Sequence, residues 1–494
     1  MHHQSSMFGH PKEDVVAGVV VFLVALPLCL GIAIACGVPP VSGLVAGVVG
    51  GLVVPFISRS PLSVTGPAAG LTSIVLAEVS KVGLEAFLMG VVLAGGLQFL
   101  LGVVRAGGFT ALVPSSVIKG MLAAIGITIV LRQLPVALGV NGGFSDIPSQ
   151  FNAGAFAIAA LALAMLYGWK YTPLAKFKLV SPALVTVVVA SIVAALFRDL
   201  PGLALSAGHY VDVPLGGVQA LAAALPRPDF GAIVNPAVWI TGATIAVVAS
   251  IETLLSVQAV DRLDPLKRHS PPDRELLAQG AANAVSGFLG GLPVTAVIVR
   301  SGANVAAGAK ERMSALVHGV LLLVAVIFAG SLLNQIPLAC LAAVLIQVGL
   351  NLCKPALFAT QARLGLTQLL PFGLTIASVL ALDLLKGVIV GIVVGIAFVL
   401  YENSKRAVLA ERDPAGVWRM RFRRDGTFVS KPGIMSALDQ VSDGDEVVID
   451  GTGEYIDHDV KEALATFAED AKHRDIRVSI VGIDMSHAHA SGGH

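Results

Sequence analysis

The chain has 494 residues, 55% of them hydrophobic and only 13% charged, with a mean hydropathy of +0.82. An average soluble chain carries about 25% charged residues, so composition alone excludes an ordinary soluble protein. With 33 basic and 32 acidic side chains the net charge is +1, and nothing here forms the basic footprint of a nucleic-acid binder.

Residues 1–12 are polar and mixed in charge and read as a cytosolic N-terminal segment. The apolar run that follows is too long for the core of a cleavable signal. Apolar blocks then recur at 14–35, 41–57, 62–78, 84–104, 113–133, 153–169, 179–197, 236–258, 276–290, 294–308, 313–333, 338–353, 366–384 and 386–402. A membrane helix needs about 20 such residues, so residues 13–402 read as a polytopic α-helical membrane domain of fourteen transmembrane segments. Fourteen is even, which places both termini on one side. Thirteen Lys and Arg residues, among them Arg59, Arg105, Lys170, Lys176, Lys178, Arg262, Lys267 and Arg312, fall in loops on that side. Five (Lys81, Arg132, Arg198, Arg227 and Lys386) fall on the other, so the positive-inside rule puts both ends in the cytoplasm. Cys29, Cys36, Cys340 and Cys353 form no CxxC pair and read as small packed residues.

Two blocks are interrupted at matching places. The third opens with Ser63-Val64-Thr65-Gly66-Pro67, and the tenth opens after Gly290-Gly291-Leu292-Pro293. Non-helical backbone at membrane depth survives only inside protein or beside a cavity. Each is therefore expected to be a half-helix preceded by an extended segment, and the match between halves is the mark of an inverted repeat with a midplane site. Thr65–Ala69 and Thr295–Val297 would then present free N–H groups to an anion. The candidate anion-binding residues are Thr65, Gly66, Ala68, Ala69, Thr295, Ala296 and Val297.

Glu252 stands in the eighth block, some six residues from the boundary read at 258. An intramembrane carboxylate is costly and points to function: it carries a proton or, with Ser256 one turn on, coordinates Na⁺ through hard oxygen. Arg300, five residues beyond Thr295, either sets a positive potential in the inner vestibule or pairs with Glu252. The chain carries no P-loop, GxSxG, HExxH or Cys/His metal cluster. It reads as a transporter that is not an enzyme and has no cofactor beyond Na⁺ as a coupling ion.

After Tyr401 the composition turns polar. Glu402–Arg412 has a helical pattern, Val417–Phe422 alternates as a strand, and Gly433–Leu438 reads as a helix. Glu446–Asp450 and Ile476–Ile483 read as strands around a helix over Val460–Lys472. This is a small α/β domain over 415–485. The tail 486–494, with His487, His489 and His494, reads as solvated and disordered, and weak metal binding is the lesser reading.

Pro27 with Val38-Pro39-Pro40-Val41-Ser42-Gly43-Leu44, Val64-Thr65-Gly66-Pro67-Ala68-Ala69, Ser250-Ile251-Glu252-Thr253-Leu254-Leu255-Ser256 and Val299-Arg300-Ser301-Gly302-Ala303-Asn304-Val305 resemble four motifs of the SulP anion transporters. The segment from Val447 through Thr452 to Val460 is similar to that family's C-terminal STAS domain, with Thr452 at a loop phosphorylated in related domains and read here as a turn hydroxyl. The resemblance implies a seven-plus-seven inverted repeat built like the uracil-type carriers: a core domain of spans 1–4 and 8–11 and a gate domain of spans 5–7 and 12–14. It also implies an elevator-type mechanism, a homodimer in the lipid of a bacterial inner membrane, and a small inorganic anion as substrate. In bicarbonate-carrying members an Asp and a Thr at the Glu252 and Ser256 positions bind Na⁺, while proton-coupled members also carry a Glu there, so the resemblance leaves Na⁺ and H⁺ both open. Leu28, Ile32, Ala68 and Val299 stand where other members carry polar or aromatic groups, so the pocket is expected to be smooth, with backbone dipoles and Thr65 or Thr295 as anchors. Bicarbonate is preferred to sulfate, with a link to carbonic anhydrase, and the alternatives are a sulfate or a proton-coupled dicarboxylate carrier. Arg300, with no acid from Val294 to Lys310, argues against a nucleobase carrier. A non-transporting scaffold would leave the half-helices and Glu252 without purpose.

Overall fold

The computed structural model describes residues 7–108, 114–140, 142–173, 181–215, 217–382, 384–405 and 408–486. Lys176, Lys178 and the tail histidines fall outside them. The first helices start on prolines, whose missing N–H is no loss there: α1 spans Pro11–Ala35 and α2 Pro40–Ile57. A three-residue strand β1 (Thr65–Pro67) and a 3-10 turn (Ala69–Leu71) lead into α3 (Thr72–Val82). Then come α4 (Leu84–Val103), α5 (Ser115–Ala137), the short α6 (Ile147–Gln150), α7 (Ala153–Gly168), α8 (Pro182–Leu196) and α9 (Gly217–Ala224). The second half repeats the design with α10 (Pro236–Leu263), α11 (Pro272–Phe288), strand β2 (Val294–Ala296) and α12 (Ile298–Ala306). It continues through α13 (Met313–Phe328), α14 (Gly330–Leu333), α15 (Leu338–Leu352), α16 (Pro355–Arg363), α17 (Leu366–Ala381) and α18 (Leu384–Lys405).

A helix, or a strand followed by a helix, thus occupies each apolar block of the sequence. Among the described residues eight helices are long and apolar enough to cross a membrane. α3 and α12 fall short because each gives its first residues to an extended strand. The chain divides into two compact units, the first running through Arg363 with Phe372–Val390 and the second comprising Leu364–Pro371 with Gly391 onward.

Within the first unit α4 packs along α10 and α11, while α13 lies on α1 and α2; elsewhere α15 packs on α5 and α7. An apolar core joins Cys29, Leu30 and Leu44 to Ile158, Ala162, Leu341 and Ile346. The paired strands β1 and β2 run antiparallel, with Thr65 opposite Ala296, Gly66 opposite Thr295 and Pro67 opposite Val294. The two interrupted blocks therefore meet at their extended segments.

The second unit holds a four-stranded sheet, β3 (Val408–Arg412), β4 (Trp418–Phe422), β5 (Glu446–Asp450) and β6 (Arg477–Val481), in that order. The β3–β4 pair is antiparallel and the others are parallel. The helices α19 (Lys431–Leu438) and α20 (His458–His473) complete an α/β domain consistent with STAS. Val460, Leu464 and Phe467 of α20 cover Met420, Val447 and Ile449 of the sheet. β3 corrects the helical reading of Glu402–Arg412: the helix ends at Lys405. Asp413 then accepts N–H bonds from Ala415 (2.9 Å) and Val417 (3.0 Å), forming the turn that folds 408–412 back onto β4. The sheet therefore begins ahead of residue 415.

Candidate functional site

The site starts from two prolines. Pro67 and Pro293 deny their own segments an N–H and bias the preceding residue to extended backbone. Extended backbone at this depth must find partners inside the protein, and the pairing of β1 with β2 supplies only some of them. The rest come from polar side chains on neighbouring helices. Asn283 of α11 accepts from the Val294 N–H (2.6 Å) and donates to its carbonyl (3.0 Å). Thr253 of α10 accepts from the Ala296 N–H (3.2 Å), and Ser301 of α12 accepts from the Val64 N–H (2.9 Å). Asn304 donates to the Leu62 carbonyl (3.0 Å), and the Val297 N–H donates to the Val64 carbonyl (2.9 Å).

These bonds correct the expectation that Thr295–Val297 offer free amides. Those of Ala296 and Val297 are spent inside the protein, and Pro67 has none. The first helical bond of α12 runs from the Ser301 N–H to the Val297 carbonyl, so the Ile298, Val299 and Arg300 amides have no intrahelical acceptor. On the other side the Leu71 N–H reaches the Ala68 carbonyl, which leaves Ala69 and Gly70 without an intrahelical acceptor. Ala68 is buried and serves as the cap residue. Two helix starts, each a positive dipole end, thus flank the strand pair, one at either end.

The hydroxyls are less available. Thr65 is 1% exposed and accepts from Gln279 Nε2 (2.7 Å), whose other bond goes to Glu275 Oε1 (2.9 Å). Glu275 in turn accepts a hydrogen bond from Ser58. Thr295 is fully buried, and its Oγ1 has no partner among the described residues.

α10 is unbroken across Glu252 and ends at Leu263, not near 258. Glu252 therefore lies eleven residues, about 16 Å, from the helix end, deeper than the sequence boundary implied. Its carboxylate lies against Gly70: a β-carbon there would stand 2.5 Å from Oε1 and 2.7 Å from Oε2. Oε2 has no hydrogen-bond partner among the described residues. Ser256, one turn on, is half-buried.

Of the two roles expected of Arg300, the pairing with Glu252 is not made among the described residues. Its guanidinium is fully buried. It crosses the strand pair on the Gly66 side: a β-carbon at Gly66 would collide with Nη1, and Nη2 donates to the Pro67 carbonyl (3.4 Å). Nε and Nη1 have no partner among the described residues, and Cys29 of α1 stands beside the group.

Sequence reasoning missed the supporting residues. Glu275, Gln279 and Asn283 follow one face of α11 at four-residue spacing, and Gln98 of α4 joins Asn283 (2.6 Å) to Ser250 (3.1 Å). The available signal was the same for all four: a polar side chain in or beside an apolar run.

A multi-pass helical membrane protein whose two interrupted helices are joined through their extended segments beside a half-buried acid and a buried arginine has the build of an anion transporter, and relatives agree. The sulfate permease family matches residues 12–369, and the chain belongs to that family of transporters, which are not enzymes. It is 26% identical over 488 residues to the putative sulfate transporter YbaR of Bacillus subtilis, covering 97% of this chain and 96% of the relative. It is also 26% identical over 365 residues to the bicarbonate transporter BicA of Picosynechococcus, covering 70% of this chain and 62% of that one. In fold it is similar to the transmembrane domain of a cyanobacterial BicA (TM-score 0.66, 23% identity, 79% of this chain and 98% of that one). The likeness to SLC26A9 extends over 98% of this chain and 87% of that one, with a TM-score of 0.80 and 16% identity.

Proposed function

We propose that the chain is a secondary active transporter of a small inorganic oxyanion, with bicarbonate the preferred substrate, driven by Na⁺ or H⁺ bound at Glu252. The observation that supports this reading is that the β1–β2 pair carries a helix start at either end, the Ala69–Gly70 amides at one and the Ile298–Arg300 amides at the other, with Glu252 against Gly70 and Arg300 beside Gly66. The amides would hold the anion without a permanent covalent or lysine anchor, which leaves release easy. Arg300 would supply the compensating charge across one layer of backbone. The charge count favours a monovalent anion. Arg300 and an ionised Glu252 cancel; one Na⁺ shared by Glu252 and Ser256, or one proton on Glu252, leaves a single positive charge. Bicarbonate balances it, whereas sulfate would leave a buried negative charge.

In this reading fourteen spans cross a bacterial inner membrane with both ends cytoplasmic, and two copies form a dimer. The helix group holding the site, spans 1–4 and 8–11, slides as an elevator against spans 5–7 and 12–14. A partnership with carbonic anhydrase depends on bicarbonate being the substrate. Sulfate is the second reading, favoured by the name of the full-length relative YbaR, and a proton-coupled dicarboxylate is the third. Uptake of labelled bicarbonate, sulfate and fumarate into proteoliposomes, each under a Na⁺ or a pH gradient, tests them together. Bicarbonate uptake driven by one gradient and abolished by Glu252→Gln is expected; uptake indifferent to that substitution refutes the coupling role.

A further inference from the structure

Arg300 is buried, so the charge that draws an anion toward the site must come from elsewhere. A cavity of about 430 Å³ opens beside the first turn of α12, where Val299 forms part of its wall and is 43% exposed. That volume holds on the order of ten waters, enough for a hydrated small anion. Val24 and Leu28 of α1 give one wall no polar group. The opposite wall is α15, where Gln347 and Asn351 project from one face a helical turn apart. The single charged side chain among the described lining residues is Lys170, in the 3-10 turn (Trp169–Tyr171) that follows α7. Its ammonium lies 4.8 Å from the centroid of the Tyr171 ring, with no acidic partner among the described residues.

We propose that this cavity is the antechamber through which the anion reaches the α12 amides from the cytoplasmic side. Lys170 collects the anion, and the Gln347–Asn351 pair passes it to the helix start. The inference rests on the transport reading above and assigns its path and its collecting charge. It also explains how Leu28 is tolerated on α1: the polar contacts stand on α15 instead.

The test reads local potential and not transport. In the full-length chain, Asn351→Cys is introduced with Cys353→Ser, the other three cysteines being buried. The introduced thiol is then labelled with an anionic sulfonatoethyl and a cationic trimethylammonium-ethyl methanethiosulfonate. A nearby unit charge in a partly screened cavity should favour the anionic reagent, so Lys170→Gln is expected to lower the anionic-to-cationic rate ratio by about three- to tenfold. Lys170→Arg should retain it. A ratio that Lys170→Gln leaves unchanged, or an introduced thiol that neither reagent reaches, overturns the proposal. Labelling as expected in a protein that moves no anion would refute the transport reading while leaving the charged antechamber in place.

Discussion

The carboxylate of Glu252 faces Gly70 so closely that a β-carbon there would stand 2.5 Å from Oε1, leaving no room for a methyl group. The contact places Glu252 of α10 at the 3-10 turn that starts α3, so in the proposed function the ion at Glu252 and the anion at the Ala69–Gly70 amides would share a single backbone step. Gly70→Ala is expected to lower uptake by at least about tenfold, because the added carbon must displace the carboxylate from that position. Gly96→Ala on α4, where a β-carbon meets nothing within 4 Å, is the matched control. Initial uptake rates at equal reconstituted protein decide it, and equal rates for the two variants would remove Glu252 from the site.

Arg300 is a buried charge whose strongest contact is a long bond to a carbonyl. Such a group costs folding energy unless something compensates it, which is the signature of a residue kept for function. Arg300→Met should therefore keep or raise the melting temperature in detergent while reducing uptake by at least about tenfold. Arg300→Lys retains the charge without the planar fork and should restore part of the rate with a raised KM. A melting temperature several degrees lower together with normal uptake would make Arg300 a structural residue only.

Much of this arrangement was legible in the sequence, for identifiable reasons. Pro67, Pro293 and their glycines interrupt apolar runs, and Glu252 is a charge inside one; each signal is local. What failed was whatever depended on partners far along the chain. Whether the Ala296 amide is free is decided by Thr253, and that of Val294 by Asn283, which no local pattern discloses. The direction of Arg300 follows from the strand pair that it crosses, so spacing from Thr295 could not tell Gly66 from Glu252. Glu275 was lost at a block edge, and β3 was lost because five residues after a long helix carry little strand signal against its continuing pattern.

Asn283 ties α4, α11 and β2 together through three hydrogen bonds, all buried. Asn283→Leu is close in volume but leaves the Val294 amide and carbonyl and the Gln98 carbonyl unpaired. Each stranded group costs about 1–3 kcal/mol, so a loss of several kcal/mol and a clear drop in melting temperature are expected. A leucine variant as stable as the parent would show that the extended segment holds itself.

Outside the membrane segments, the loop after α10 is held by Asp264. Burial alone would raise its carboxyl, but bonds from the Arg268 side chain and the Leu266 and Arg268 amides outweigh that and hold it below the usual aspartate value. Arg268 also bonds Glu311 (3.1 Å) and the Lys310 carbonyl (3.0 Å), so this one guanidinium joins the loop after α10 to the loop before α13. A carboxyl with a lowered folded pKa binds fewer protons folded than unfolded. Its contribution is therefore complete at neutral pH, begins to fall near its unfolded value of ~3.9, and is lost as pH drops through the folded value. Asp264→Asn should lower stability at pH 7 by about 1–3 kcal/mol, the cost of an unmade charged hydrogen bond. The gap between parent and variant should narrow below about pH 4. Melting curves of both proteins in detergent from pH 3 to 7 give the comparison directly, and a gap independent of pH would mean that the Asp264 charge does not hold this loop.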